Sequence, residues 1–219
     1  MKKTFYYLIL FFLIFCLSPF YSFAFLENYT HVPLRRPLRH AEEFYALYRE
    51  TLYRGTENLN ANAYWLLYAL KSPFATPVQA LAKIQTPAQW DKYKKLFHFQ
   101  IYYLLTETNL RLGERYEKNN IFFFNYTYKK EIKEGLEIAK IYYQRAQTYW
   151  NKALELAKPL WELRDIELHG IDGEVDIWQE RVFRVSQNYI EMNYPKEITL
   201  RLKQVHHKIT MLEKGEYQK

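Results

Sequence analysis

The 219-residue chain carries a net charge of +7, is 49% hydrophobic and 19% aromatic, and holds one cysteine against 21 tyrosines and 15 phenylalanines. The basic excess is mild and scattered, whereas a nucleic-acid binder concentrates it on one face, so no nucleic-acid partner is expected. A lone Cys16 excludes a disulfide framework, and an exported form of this chain must be held by its core or by partners.

Residues 1–24 read as a secretory signal: the basic start Met1-Lys2-Lys3, an apolar run over residues 5–17, then Ser22-Phe23-Ala24 with small residues where a signal peptidase reads them. Two alternatives stand beside it. No charge occurs before Glu27, so residues 5–26 could be kept as an inner-membrane anchor, and Leu13-Ile14-Phe15-Cys16 resembles a lipobox with a residue too large before the cysteine. Cleavage after Ala24 removes Lys2, Lys3 and Cys16. Residues 25–40 form an irregular basic linker in which Pro33 and Pro37 bracket Arg35 and Arg36. Touching a membrane through that collar requires the anchor to be retained.

Residues 41–213 read as a single all-helical domain, followed by a polar tail, 214–219. Residues 41–54 place Phe44, Leu47, Tyr48 and Leu52 on one face, with Gly55 as the stop. Residues 57–71 repeat the pattern with Tyr64, Leu67, Tyr68 and Lys71, and residues 78–84 suggest a short helix after Pro73 and Pro77. Thr86-Pro87-Ala88-Gln89 has the form of a capping box with proline at the first helical position. It opens a long helix to about residue 118, with Trp90, Tyr93, Phe97, Ile101, Leu104, Leu105, Leu112 and Tyr116 inward.

The strongest signal lies over residues 132–160. Ile132, Leu136, Ala139, Tyr143, Ala146, Trp150, Ala153, Ala157 and Leu160 recur at spacings of four and three, the rhythm of a helix packed along its length on another. The preceding long helix is its antiparallel partner. The joining segment carries Phe122, Phe123, Phe124 and Tyr126, the candidate protein-interaction residues, because helix packing explains an aromatic run in a connection poorly. Pro159 is expected to kink or end the regular part of the seam helix, with residues 160–168 continuing it. After the turn His169-Gly170-Ile171-Asp172-Gly173 comes a helix over 175–192 with Ile177, Trp178, Val182, Val185, Tyr189 and Met192 inward. Pro195 opens a last helix over 196–213.

Leu112-Gly113 with Tyr116 resembles the first-helix signature of the tetratricopeptide repeat, and Ala139, Tyr143 and Ala146 resemble its second-helix pattern of small, aromatic, small. The resemblance covers about 50 residues and is stretched by about 14 beyond the usual 34-residue unit. It implies an α-solenoid-like stack of antiparallel helical hairpins.

Sites of chemistry are sparse. The six histidines show no metal-binding spacing. Asp165, Glu167, His169, Gly170 and Asp176 fall in a calcium-loop frame with the wrong side chains at its key positions. No phosphate loop or nucleophile motif occurs, and Glu42, Glu43, Glu107, Glu114 and Glu134 read as solvated helix faces. No catalytic, metal or cofactor residue is therefore expected. The functional expectation is an exported, periplasmic, non-enzymatic scaffold or adaptor of the bacterial envelope that binds envelope proteins or itself. In general character it is similar to structural components beside a periplasmic machine such as the spirochaete flagellar motor collar. The alternative is a periplasmic carrier with a small molecule or lipid in an aromatic-lined cavity.

Overall fold

The computed structural model describes residues 37–53, 58–117, 128–187 and 194–214. The chain divides into two units, Met1–Pro37 and Leu38–Lys219, and the helical body lies in the second. Among the described residues there are six α-helices and no strand: α1 Ala41–Tyr53, α2 Leu59–Lys71, α3 Pro87–Glu117, α4 Lys129–Glu162, α5 Glu174–Ser186 and α6 Tyr194–Lys214. No described helix is long and apolar enough to cross a membrane. The signal-like segment, the linker up to Arg36 and the tail beyond Lys214 lie outside the described residues.

Helix starts follow local chemistry. Glu43 reaches back at the head of α1 to accept from the backbone N–H groups of Arg39 and His40, at 2.8 and 3.1 Å. Asn58 caps α2 by accepting from the N–H groups of Asn60 and Ala61. The capping box of α3 forms in both directions: the Gln89 N–H donates to Thr86 Oγ1 at 3.2 Å, and the Thr86 N–H donates to Gln89 Oε1 at 3.1 Å. Each cap satisfies N–H groups that the helix itself leaves unpaired.

Helices α3 and α4 form an antiparallel spine. Tyr116 stacks on Tyr142, Tyr102 on Tyr149, and Tyr103 meets Trp150, so rising numbers on one helix match falling numbers on the other. The seam is buried from Leu136 through Ala139, Tyr143, Ala146, Trp150, Ala153 and Ala157 to Leu160, and Ile132 is half-buried. Gly113 lies against the Tyr143 ring so closely that a Cβ there would sit 2.4 Å from Cε1. Helix α6 lies against both: Tyr194 packs on Tyr103 and Trp150, and Lys133 of α4 pairs with Glu213 near the far end. Around the first half of α3 sit α1, α2 and α5, where Tyr45 and Trp178 both pack edge-on against Phe97.

Thus α3 is the enclosed centre of the bundle, a larger role than antiparallel partner of the seam. Burial extends around it to Gln100, Thr106, Thr108 and Asn109. Thr106 and Asn109 meet this by donating to the carbonyls of Tyr102 and Leu105, one turn back.

Several expectations are corrected. The buried side of α2 is Leu59, Asn62, Ala63, Leu66 and Ala69 with Trp65, while Tyr68 is exposed. Apolar residues lie all round this helix, so its periodicity picks no face, and the small side lets neighbouring backbone approach. Residues 78–84 form no α-helix: a 3-10 turn spans Pro77–Gln79, Val78 is 93% exposed, and Ala82 makes an isolated antiparallel bridge to Gly170. Ile177 is 50% exposed, whereas Trp178, Val182 and Val185 are buried as expected and Val175 joins them. Helix α4 runs through Pro159 and ends at Glu162 rather than near residue 168. Both Pro159 and Glu155, whose carbonyl a proline cannot serve, face solvent.

Four tyrosine–glutamate hydrogen bonds tie helix to helix. The phenol of Tyr45 donates to Glu174 at 2.5 Å, Tyr93 to Glu42 at 3.4 Å, Tyr143 to Glu117 at 2.6 Å and Tyr194 to Glu107 at 2.7 Å. Burial first, with the paired carboxylate adding to it, pushes all four phenols far above the ordinary tyrosine range. Of the carboxylates read as solvated, Glu43 caps α1, Glu42 and Glu107 are engaged with tyrosines, and Glu114 with Arg201 at 2.6 Å. Glu117 is fully enclosed and also takes Lys208 at 2.6 Å.

Two outcomes follow. Gly113→Ala should cost about 1–3 kcal/mol in urea unfolding, because Tyr143 is held by Glu117 and has nowhere to swing. A raised phenol favours the folded state fully below its unfolded value near 10 and loses that contribution as pH climbs beyond it. Each such tyrosine then removes about 1.4 kcal/mol per pH unit. Alkaline titration should show the phenolate absorbance of these tyrosines rising together with loss of helical circular dichroism; their ionisation before helix loss would contradict the pairing.

Candidate functional site

The aromatic run Phe122, Phe123, Phe124 and Tyr126 lies outside the described residues, so its placement adds nothing to the site. Among the described residues, no group of three or more histidine, cysteine, aspartate or glutamate side chains is placed to hold a metal ion. The buried Glu42 and Glu117 are already paired as above.

The described feature with the makings of a site is a half-open cleft of about 130 Å³ where α3 begins and α4 ends. Lys92 and Leu96 come from α3, Leu160 and Trp161 from the last turn of α4, Arg164 from the turn beyond, and Gln179 and Val182 from α5. Local structure fixes these elements together. The bridge between Ala82 and Gly170 is flanked by bonds from the Lys83 N–H to the His169 carbonyl and from the Ile171 N–H to the Leu81 carbonyl. The Gln89 amide donates to the Glu167 carbonyl at 2.9 Å. Left-handed Gly173, at φ +71°, turns the chain into α5.

Lys92 is the unusual member. It is 3% exposed, and its Nζ donates to the Ile166 carbonyl at 2.7 Å and to Gln179 Oε1 at 2.8 Å. Gln179 is oriented for this by donating its own amide N–H to the Leu168 carbonyl at 3.0 Å. Among the described residues, no carboxylate lies within ion-pair distance of Lys92. Burial lowers its pKa from the ordinary lysine value, offset in part by the field of Asp165. Arg164 adds a second cation at the rim: its guanidinium stands 5.2 Å from the Trp161 ring centre and donates to the Trp161 carbonyl. Trp161 in turn packs on Phe183, 5.4 Å away.

A buried lysine with a lowered pKa is also a pattern of carbonyl chemistry. Here the side chains that line the cleft are two cations, an amide, an indole and three aliphatic groups, a set that offers ionic and apolar contacts. Charge and motif spacing do not single out Lys92 in the sequence. A usable signal existed: Lys92, Leu96, Phe99 and Tyr103 step by four, three and four, which puts the lysine on a buried stripe.

Replacing Lys92 by methionine should leave stability within about 1 kcal/mol of wild type or above it, since a desolvated cation is exchanged for an apolar chain of similar length. The sign with pH is set by the lowered value. The penalty for burying the charge is present in full below the folded pKa and disappears as pH rises toward the unfolded value near 10.4. Wild type should therefore gain on Lys92→Met across that window in paired denaturation curves.

No curated protein and no solved structure matches this chain. Residues 88–215, from the first turn of α3 past the end of α6 and including every residue that lines the cleft, match the family described as domain of unknown function (DUF8513); since that stretch is more than half of the chain, the protein belongs to this family.

Proposed function

We propose that this protein is an exported, non-enzymatic adaptor of the bacterial cell envelope that docks partner proteins at the α3–α4 end of its helical spine. Export rests on the basic, apolar and small-residue order of residues 1–24. The observation that carries the docking is the apolar strip beside the cleft. Leu154 and Trp161 lie two turns apart on one face of α4, Leu154 and Phe183 are exposed, and Phe183 packs on Trp161. A tryptophan with an arginine over its face is the kind of pair on which interfaces concentrate their energy. A periplasmic machine, or a second copy of the chain, remains the natural setting for such a body.

The carrier reading has less behind it. Among the described residues, the large aromatics pack on one another: Tyr45, Phe97 and Trp178 meet edge to face, and Tyr93 lies against Phe97 and Trp178. The cleft, at about 130 Å³, is smaller than the roughly 300 Å³ at which small-molecule pockets begin.

Crosslinking capture of the tagged full-length protein from its own envelope, followed by mass spectrometry, tests the reading. Wild type should bring down a consistent set of envelope proteins, and a Leu154→Glu, Phe183→Glu double variant with unchanged circular dichroism should lose them. Recovery of the wild-type chain alone, as a monomer, would count against the adaptor.

A further inference from the structure

We propose that the Lys92 cleft is a receptor for the free carboxyl terminus of a partner protein that ends in a small aliphatic residue. The inference rests on the adaptor reading and names the chemistry of its docking site.

The charge of the cleft specifies an anion. The Lys92 ammonium has three protons to give, and two have acceptors, Ile166 and Gln179, both uncharged. Arg164 contributes a second cation to the same lining; its Nε stands 3.9 Å from the exposed Asp165 carboxylate, so the charge that lacks an ionic partner among the described residues is the one on Lys92. A buried cation is normally matched by an opposite charge, and this one, among the described residues, has none within ion-pair distance. A carboxylate in the cleft would supply it, through charge-assisted hydrogen bonds made where water is scarce.

The walls specify what carries the anion. Leu96, Leu160 and Val182 are aliphatic, and Trp161 closes one side. Inorganic phosphate would leave these apolar walls unmatched. At about 130 Å³ the cleft is on the scale of one residue, since an apolar cavity of about 150 Å³ takes a benzene-sized molecule. Charge and apolar surface must therefore come from the same residue. An internal aspartate or glutamate carries its carboxylate at the end of one or two methylenes, with no branched aliphatic group beside the charge to meet these walls. A C-terminal aliphatic residue carries both on one Cα. A free amino acid also carries both, but its ammonium would sit against Lys92 and Arg164, so the peptide-bonded form is the fitting one.

The test titrates N-acetylleucine into the full chain, with the Trp161 indole N–H and the backbone N–H groups of Arg164 and Gln179 followed by two-dimensional NMR. N-acetylleucine should shift these signals saturably. N-acetylleucinamide, which lacks the carboxylate, and free leucine should each bind at least about tenfold more weakly, the scale of one charge-assisted hydrogen bond. Lys92→Met and, independently, the surface change Arg164→Gln should each weaken N-acetylleucine about tenfold or more. No saturable shift in folded wild type, equal binding of the amide, tighter binding of free leucine, or binding of inorganic phosphate at the same signals would each overturn the proposal. The probe needs no partner, so the two readings fail separately. Probe binding without any captured protein would sink the adaptor alone, and capture without probe binding would sink this site alone.

Discussion

A buried tyrosine ring stabilises a helical interface only if its hydroxyl finds an acceptor, and this constraint organises the molecule. Four times the acceptor is a glutamate on another helix: Glu174 for Tyr45, Glu42 for Tyr93, Glu117 for Tyr143 and Glu107 for Tyr194. An unmet hydroxyl in the interior would cost about 1–3 kcal/mol, and an unmet carboxylate more. Each pair thus acts as a register pin, because a helix that slid by one turn would lose an aromatic contact and leave two polar groups stranded. A chain that holds 21 tyrosines and no disulfide framework is built to use such pins.

The pins converge on α3. Glu107 and Glu117 belong to it and Tyr93 reaches Glu42 from it, so three of the four bonds start or end on this one helix. Its enclosure by α1, α2, α4, α5 and α6 leaves little solvent-facing surface, and Thr106, Glu107, Asn109 and Glu117 along it find hydrogen-bond partners inside the bundle. Against that background the Lys92 cleft is a local exception. There the enclosing helices part, a cation is buried against neutral acceptors, and aliphatic walls stay open to the outside. The same contrast separates a group that specifies the fold from one held ready for something external. Glu117 is satisfied by Tyr143 and Lys208, whereas the Lys92 ammonium is matched by dipoles only.

Much of the architecture was legible in the chain because its signals are local. The seam from Leu136 to Leu160 is an unbroken alternation of four and three, and nothing in the fold disturbs it. The Thr86–Gln89 capping box involves atoms three residues apart and forms as written. Gly113 and Tyr143, read as separate halves of a repeat-like pattern, meet in the spine, since a missing Cβ is what admits the ring. The expected helix over 78–84 and the expected face of α2 were not legible. Residues 81–83 are held by backbone bonds to 169–171, and a helix apolar on all sides takes its orientation from its neighbours.

By itself the sequence determined the all-helical class, the length and ends of most helices, and the antiparallel pairing of the spine. Periodicity, capping and proline placement act within a few residues of chain, where the physics needs no distant partner. The tertiary structure alone decided which carboxylates are buried, that α3 is enclosed by its neighbours, and that Lys92, Arg164 and Gln179 share a cleft with Trp161. Those residues come from three segments and meet only when α3, α4 and α5 pack. A charge's partners and its desolvation are set by that packing, and no spacing along the chain records it.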